Sequence, residues 1–300
     1  MRVVLLGPNG QLGHDIRRTH ERGGAAIELA PISRERLDVS SAAAIREALG
    51  GLAFDVLVNC TSYHKTDEVE DNASRAFAIN AHAVQAMAAV CAAKRARFIH
   101  ISTDYVFGGD ARRDEPLDEA APTAPVNVYG ASKAMGETLA RLACEQTTIL
   151  RVASLFGVAG ASGKGGNFVE TMIRLGREKG ALRVVDDQIM SPTSTADIAD
   201  ILVRLVTENP GPGVYHVVNT GAVSWFEFAR EIVRRAGVSA DVAPCASADY
   251  PTRAMRPRYS ALDNRKVGAV FGPMAPWQDA LERYLREKGH AGGVRAGSAA

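Results

Sequence analysis

The sequence lacks an excess of charge of either sign. Lysine and arginine number 35 and aspartate and glutamate 34 among its 300 residues, a net charge of +1. Binding to nucleic-acid phosphates or to an anionic membrane surface relies on a surplus of positive charge. We therefore expect no nucleic-acid partner and no membrane partner.

Cysteines are few, and long apolar runs are missing. The four cysteines, Cys60, Cys91, Cys144 and Cys245, form no CxxC pair, which predicts free thiols packed as small apolar groups and provides no zinc site. No uninterrupted apolar run approaches the roughly 20 residues of a membrane span. The N-terminal RVVLLG is typical of a strand rather than of a signal peptide. We expect a cytoplasmic protein without a metal, and nothing in the sequence supports Mg²⁺.

Short apolar runs alternate with longer stretches of helical periodicity. The runs are Val3–Leu6, Ile27–Ile32, Val56–Cys60, Arg97–Ser102, Thr148–Val152, Leu182–Val185 and Val214–Val218. The helical segments are Gln11–Arg22, Ser41–Leu49, Asn72–Lys94, Tyr129–Gln146, Asn167–Lys179, Ala196–Thr207 and Ser224–Ala236. This alternation indicates right-handed crossovers and a parallel sheet covered on both faces. We predict an α/β fold with a doubly wound parallel sheet of the Rossmann type.

The regular alternation weakens after about residue 153. We predict a dinucleotide-binding domain at 1–153, to which part of the later chain returns. Residues 154–288 are predicted to form mainly a smaller C-terminal substrate-binding lobe, although long loops on one domain are the alternative. The small, polar segment 289–300 is expected to fray.

A glycine-rich turn follows the first predicted strand directly. Gly7, Gly10 and Gly13 form GxxGxxG, which permits a tight turn and a close approach of the backbone to a pyrophosphate. The following helix offers free N–H groups to the anion. A purely structural turn is the alternative. The predicted cofactor contacts of this segment are Gly7, Asn9, Gly10, Gln11, Leu12 and Gly13.

The segment after the second strand bears on the choice of cofactor. Arg34 lies where an NAD-binding site would usually carry an acid, and it can pair with a 2′-phosphate. This favours NADP(H) over NAD(H), with a solvated loop arginine as the open alternative. Asp38 and Val39, a few residues later, are predicted to flank the adenine.

A tyrosine and a lysine with catalytic spacing occur in YGASK. Tyr129 and Lys133 are four residues apart, so on a helix they share one face. A phenol has a pKa of about 10, and a nearby ammonium lowers it, which makes the hydroxyl a usable acid. An amphipathic helix would show the same spacing. The preceding strand ends in Ser102 and Thr103, where a hydroxyl can donate to a carbonyl oxygen. Within that strand, His100 is interpreted as a core residue.

Several motifs in one order carry a family resemblance. GPNGQLG, DVLVNC, FAINAHAV, STDYVF and NVYGASK resemble the extended short-chain dehydrogenases. STDYVF followed by PVNVYGASKAMGE, with VVDDQIMSPTSTADIAD and RPRYSALDNRK, is similar to the dTDP-4-dehydrorhamnose reductase family. The resemblance spans nearly the whole chain. It implies an NAD(P)H-dependent reductase of a 4-keto-6-deoxy sugar nucleotide, which produces dTDP-L-rhamnose.

The resemblance also implies roles for individual residues. Thr103 would hydrogen-bond the substrate carbonyl, Tyr129 would supply the proton, and Lys133 would bind the nicotinamide ribose. Other implied cofactor contacts, near Asn59, are Cys60, Thr61, Tyr63 and Ser102. The implied substrate contacts are Asp104, Tyr105, Ser154, Asn167, Arg256 and Arg258, the arginines facing nucleotide phosphates. Asn80 matches a structural asparagine linked to the proton path.

The chain departs from the family pattern near the expected sugar. Ser154 lies where a tryptophan is usual, which leaves the identity of the sugar open. A sugar-nucleotide epimerase or dehydratase of the same superfamily is an alternative, although Tyr105 replaces the glutamate typical of dehydratases. A non-catalytic NADP-binding regulatory subunit is a third. The oligomeric state stays open, with a homodimer among the alternatives.

Overall fold

A computed structural model describes residues 1–23, 27–160 and 166–290 of the chain. The expectation that 289–300 frays falls mostly on 291–300, which lie outside the described residues. Residues 161–165, in the glycine- and serine-rich segment after the fifth strand, also lie outside them.

Six parallel strands form the main sheet, in the order β2-β1-β3-β4-β5-β10. The strands are β1 Arg2–Leu6, β2 Glu28–Ile32, β3 Val56–Asn59, β4 Arg97–Thr103, β5 Thr147–Val152, β6 Leu155–Phe156, β7 Ala181–Val185, β8 Ile189–Met190, β9 Thr193–Ser194, β10 Gly213–His216, β11 Val223–Ser224 and β12 Asp241–Cys245. Every residue of β3 and β5 is buried, as expected for strands covered on both faces. The predicted doubly wound Rossmann-type fold is confirmed.

Helices cover both faces of this sheet. They are α1 Gln11–Gly23, α2 Ala42–Gly50, α3 Thr66–Glu70, α4 Ala73–Phe77, α5 Ala83–Lys94, α6 Val128–Ala143, α7 Phe168–Lys179, α8 Thr195–Glu208, α9 Trp225–Arg235, α10 Arg265–Phe271 and α11 Trp277–Glu287. A π-helical turn, Ala78–His82, joins α4 to α5. One apolar cluster packs α1, α8 and α10 on the sheet, and another packs α2, α5 and α6 on its opposite face.

A third apolar cluster lies in the C-terminal half. It joins α7, α9 and α11 to a separate parallel pair, β7 with β12. The predicted strand Leu182–Val185 therefore forms, but it pairs outside the main sheet. Strand β10 pairs with β5, and α8 packs on α1, so these later segments lie with the first half. The domain boundary at 153 stays a prediction.

One helical run, Ala73–Lys94, is long and apolar enough by length and composition to cross a membrane. Its most apolar window has a mean hydropathy of 1.5, and 56% of that window is buried inside the protein. Val84, Met87 and Cys91 are fully buried against the sheet. Such burial is typical of a core helix. The polar residues within the run, such as Asn80 and Gln85, hid it from a search for uninterrupted apolar stretches.

Candidate active site

The glycine turn forms a tight bend at the carboxyl end of β1. Gly7 has φ +78°, a left-handed conformation that favours glycine. A Cβ on Gly13 would lie 2.1 Å from the Gly7 carbonyl oxygen, so the start of α1 packs directly on the turn. The free N–H groups of α1 therefore border a backbone cradle with no side chain in it. These residues fit the pyrophosphate of a nicotinamide dinucleotide.

A pocket of about 200 Å³ continues from this turn over the ends of β1, β2 and β3. Six predicted cofactor residues line it: Gly7, Arg34, Asp38, Val39, Thr61 and Tyr63. Cys60 is adjacent, since its backbone lies 3.2 Å from where a Gly7 side chain would begin. The structure thus brings together the glycine turn after β1, the loop after β2 and the loop after β3, all of which carry predicted cofactor contacts.

Arg75, on α4, is a pocket residue that sequence reasoning missed. Its guanidinium lies 5.1 Å from the centre of the Tyr63 ring, and it lines the pocket together with Arg34. Hydrogen bonds from Ser40 lower the pKa of Asp38, and the charges of Arg34 and Arg75 add to this effect. No local motif marks Arg75, because only the packing of α4 beside the end of β3 brings it there.

Thr103 and Tyr129 lie together where β4 ends and α6 begins, and Lys133, one turn further along α6, reaches the Ile101 carbonyl oxygen of β4 at 2.6 Å. The Asn127 side chain caps α6 by accepting from Gly130 N at 2.8 Å. A Cβ on Gly130 would lie 2.0 Å from the Tyr105 carbonyl oxygen, so α6 sits close against the end of β4. The side chains of Ser62 and Thr103 lie beside the Tyr129 phenol and act to lower its pKa.

Burial shifts both members of the tyrosine–lysine pair toward their neutral forms. It raises the pKa of Tyr129 to about 12, against the opposing hydrogen bonds of Ser62 and Thr103. It lowers the pKa of Lys133 to about 8. The expected lowering of the Tyr129 pKa by Lys133 is not found: the lowering contributions come from Ser62 and Thr103, and desolvation of the phenolate outweighs them. Tyr129 is a protonated phenol at neutral pH.

Asp104 and Tyr105 follow Thr103 directly. The Asp104 carboxyl is 3% exposed, and burial raises its pKa to about 6. One oxygen accepts from the Thr103 hydroxyl at 3.0 Å, whereas Oδ2 has no partner among the described residues. The Tyr105 ring meets Tyr129 edge-on, with centroids 5.9 Å apart. Both predicted substrate residues therefore adjoin the catalytic phenol.

Arg256 reaches the same region from the C-terminal half. Its Nη2 donates to Asp67 at 2.6 Å, and its charge acts on Tyr105. Its Nη1 is buried and has no partner among the described residues. Asp67, in the first turn of α3, anchors this segment and also accepts from Ala254 N at 3.0 Å.

Four other predicted residues have different positions or partners. The Ser102 hydroxyl donates at 2.5 Å to Glu137, which pairs with Arg151 in the core. The Asn167 amide donates to Gly157 O and Tyr284 Oη, both at 3.0 Å, and its oxygen caps α7. Arg258 donates to two carbonyls of the 111–113 loop. Ser154, just after β5, has φ +43°.

Asn80 organises the loop that carries Ser62. Its Oδ1 accepts from Tyr63 N at 2.8 Å, and its Nδ2 donates to Tyr63 O and to Ser132 Oγ, both at 3.0 Å. It therefore holds the loop after β3 against α6. Within the described residues, no group of three or more His, Cys, Asp or Glu side chains is placed to hold a metal ion. A larger cleft, of about 460 Å³, opens between Glu115 and Arg265, and no predicted site residue lines it.

Comparison with known proteins agrees with this geometry. Residues 1–289 match the family described as RmlD substrate binding domain. The chain is 34% identical over 294 residues to the spore coat polysaccharide biosynthesis protein SpsK of Bacillus subtilis, covering 97% of this chain and 99% of that protein. It is 37% identical over 299 residues to dTDP-4-dehydrorhamnose reductase of Streptomyces griseus, covering 97% and 95%. The crystal structure of dTDP-4-dehydrorhamnose reductase from Bacillus anthracis in complex with NADP matches with a TM-score of 0.87 at 35% identity, covering 95% and 99%.

Proposed function

The chain belongs to the family of the RmlD substrate binding domain, and from that premise we propose that it reduces dTDP-4-dehydrorhamnose to dTDP-L-rhamnose with NADPH. It is a sugar-nucleotide ketoreductase, like the relatives of similar sequence. The product would enter cell-surface polysaccharide biosynthesis in the cytoplasm. The observation that carries the proposal is the half-buried Tyr129 phenol, whose raised pKa keeps it protonated at neutral pH, beside Thr103 at the end of β4.

The catalytic roles follow from which groups can donate. Reduction of a ketone needs a hydride, which NADPH supplies when bound, and a proton for the carbonyl oxygen. Tyr129 holds that proton, since its pKa of about 12 keeps it a phenol. The Thr103 hydroxyl, which donates to Asp104 at 3.0 Å, would turn its one hydrogen to the carbonyl oxygen as negative charge builds there. Lys133, one helical turn from Tyr129, would hold the nicotinamide ribose.

Two guanidiniums favour NADPH over NADH. Arg34 and Arg75 both line the adenosine pocket, and an arginine pair suits the 2′-phosphate that distinguishes NADPH. Asp38, whose pKa both arginines help to lower, accepts a hydrogen bond from Ser40 N at 2.9 Å. The NADP complex of the related Bacillus anthracis reductase supports the same choice.

The sugar nucleotide would lie between the two halves of the chain. Asp104 Oδ2 and Arg256 Nη1 are buried groups without partners beside Tyr105 in the part of the chain that the structure describes, and they could bind a sugar hydroxyl and a phosphate respectively. Because Arg256 belongs to residues 154–288, its position beside Tyr105 supports a substrate-binding lobe in that part of the chain. All of these contacts come from one chain, so the proposed site does not depend on whether the protein is a monomer or a homodimer.

The proposal is tested by mixing the purified protein with dTDP-4-dehydrorhamnose and following the absorbance of NADPH. We expect steady oxidation with wild type and a loss of about 10²–10⁴-fold in kcat for Tyr129→Phe, which keeps the ring but has no proton to give. Tyr215→Phe, the same change at a buried tyrosine on β10, serves as the matched control. No oxidation above the Tyr129→Phe rate would reject this substrate. Turnover without net NADPH loss would favour an epimerase or a dehydratase.

A further inference from the structure

The buried His100 side chain has no role in the reaction as described, yet it contacts Lys133. It lies on β4 and is 0% exposed. Its Nδ1 is 3.1 Å from Asn59 Nδ2 on β3, and its Nε2 is 3.0 Å from Lys133 Nζ on α6. Buried polar groups need partners, so the direction of each of these hydrogen bonds matters.

The direction is fixed at the Thr61 end of the chain of contacts. Thr61 donates to Asn59 Oδ1 through its backbone N–H, at 3.0 Å, and through its hydroxyl, at 2.6 Å. The Asn59 carbonyl oxygen is therefore committed to Thr61, and its NH₂ group faces His100. An amide NH₂ can only donate, so His100 Nδ1 accepts. A neutral imidazole then carries its hydrogen on Nε2.

That hydrogen points at Lys133 Nζ. An ammonium group has three donors and no acceptor, so only the uncharged amine can accept the His100 N–H. The amine keeps a hydrogen for the Ile101 carbonyl oxygen, which lies 2.6 Å away. Burial holds the pKa of His100 well below its ordinary value, so the imidazole is neutral.

Two other ionisable groups, Glu137 and Cys60, face Lys133, and a negative charge on either would favour the ammonium. Glu137, one turn further along α6, favours the ammonium, although its carboxylate is paired with Arg151 at 2.7 Å. Cys60, after β3, faces Lys133 as a neutral thiol, because burial raises its pKa to about 12. His100 is thus the contact whose hydrogen-bond direction selects the amine.

We propose that His100 is a positioning residue that binds Lys133 selectively as the uncharged amine, through the chain Thr61–Asn59–His100, so that Lys133 exchanges a proton near neutral pH. The inference rests on the proposed function for its catalytic value. Each reduction removes a proton from Tyr129 that must be restored. A neighbouring lysine that gains and loses a proton near neutrality is suited to that recovery, whereas an ordinary lysine stays charged.

The test is a titration of Lys133 without substrate or cofactor, by ¹⁵N NMR of its Nζ, assigned by loss of the signal in Lys133→Met. In His100→Gln the side-chain amide can turn its oxygen toward Lys133 and accept from the ammonium. We expect the midpoint to rise by about one pH unit, a tenfold change in the protonated ratio. The matched control is His216→Gln, since His216 is equally buried on β10 but contacts Arg151.

A second variant reverses the hydrogen-bond chain from its other end. Asn59→Asp places an acceptor against His100 Nδ1, which moves the imidazole hydrogen to Nδ1 and leaves Nε2 to accept from an ammonium. It should raise the midpoint as well, and the pH profile of kcat/KM for ketone reduction should move with it. An unchanged midpoint in both variants, or an equal shift in His216→Gln, would overturn the proposal. Because the titration needs no substrate, it can succeed even if the proposed reaction is wrong.

Discussion

Among individual residues, Tyr129 and Lys133 show how burial alters the chemistry that spacing suggests. Their separation of four residues places them together on α6, as predicted. It does not reveal that Lys133 is 1% exposed or that burial shifts the pKa of each group in the direction of its neutral form. For a reductase this is consistent, because the phenol is the form that donates a proton. The sequence could identify the pair, whereas its protonation depends on contacts from β3 and β4.

Arg75→Ala tests the assignment of the adenosine pocket. Losing one of two guanidiniums should weaken the binding of NADPH about tenfold and change the binding of NADH by no more than about twofold. The reason is that only NADPH carries the 2′-phosphate. Dissociation constants from calorimetry measure both. Arg36→Ala is the control, since Arg36 is an exposed arginine of the loop after β2 and does not line the pocket. An equal loss for both cofactors would instead assign Arg75 to the adenine or the pyrophosphate.

Asp104→Asn should change how stability depends on pH. The folded pKa of Asp104 is about 6, above its ordinary 3.8, so the folded state holds a proton that the unfolded chain releases. Its stabilising contribution is complete below about pH 4 and is lost as pH rises through 6. Relative to wild type, the variant, whose amide carries no charge, should therefore gain up to about 3 kcal/mol between pH 4 and pH 7. Urea unfolding across this range measures the difference, and a difference that does not vary with pH would contradict the burial of the carboxylate.

At the level of elements, the alternation of apolar runs and helical segments predicts the main sheet well. It misses β12, because DVAPC contains a proline and lies half-exposed in a two-stranded pair, without a continuous apolar run. It also misses the π-helical turn Ala78–His82 inside the predicted helix Asn72–Lys94. That turn carries Asn80, whose hydrogen bonds to the loop after β3 have no periodic signature.

Gly13→Ala tests the packing of α1 on the phosphate turn. The added Cβ would lie 2.1 Å from the Gly7 carbonyl oxygen, so the turn must shift. We expect a loss of about 1–3 kcal/mol in the free energy of unfolding and a loss of NADPH binding. Gly23→Ala, at the other end of α1, meets nothing within 4 Å and should be neutral or stabilising. Equal effects of the two substitutions would show that helix propensity, not the close approach, is responsible.

For the whole molecule, the sequence predicts the fold class and most of the cofactor site, because both follow from local runs and short motifs. It does not predict which later segments rejoin the main sheet. The runs that form β7 and β10 look alike locally, yet only β10 pairs with β5. Arg75 and Asp67 were missed for the same reason, since tertiary packing alone brings them to the site. Ser102 and Asn167, predicted as ligand contacts, have their side chains engaged in the framework.

The central claim is that this chain consumes NADPH to reduce the ketone of a sugar nucleotide. NADPH carrying deuterium at the transferred position, mixed with dTDP-4-dehydrorhamnose and the enzyme, tests it most directly by mass spectrometry of the product. We predict one deuterium in the reduced sugar for each NADPH oxidised, and formation of this product about 10²–10⁴-fold more slowly with Tyr129→Phe. A product without deuterium, or turnover with the cofactor unconsumed, would contradict the account.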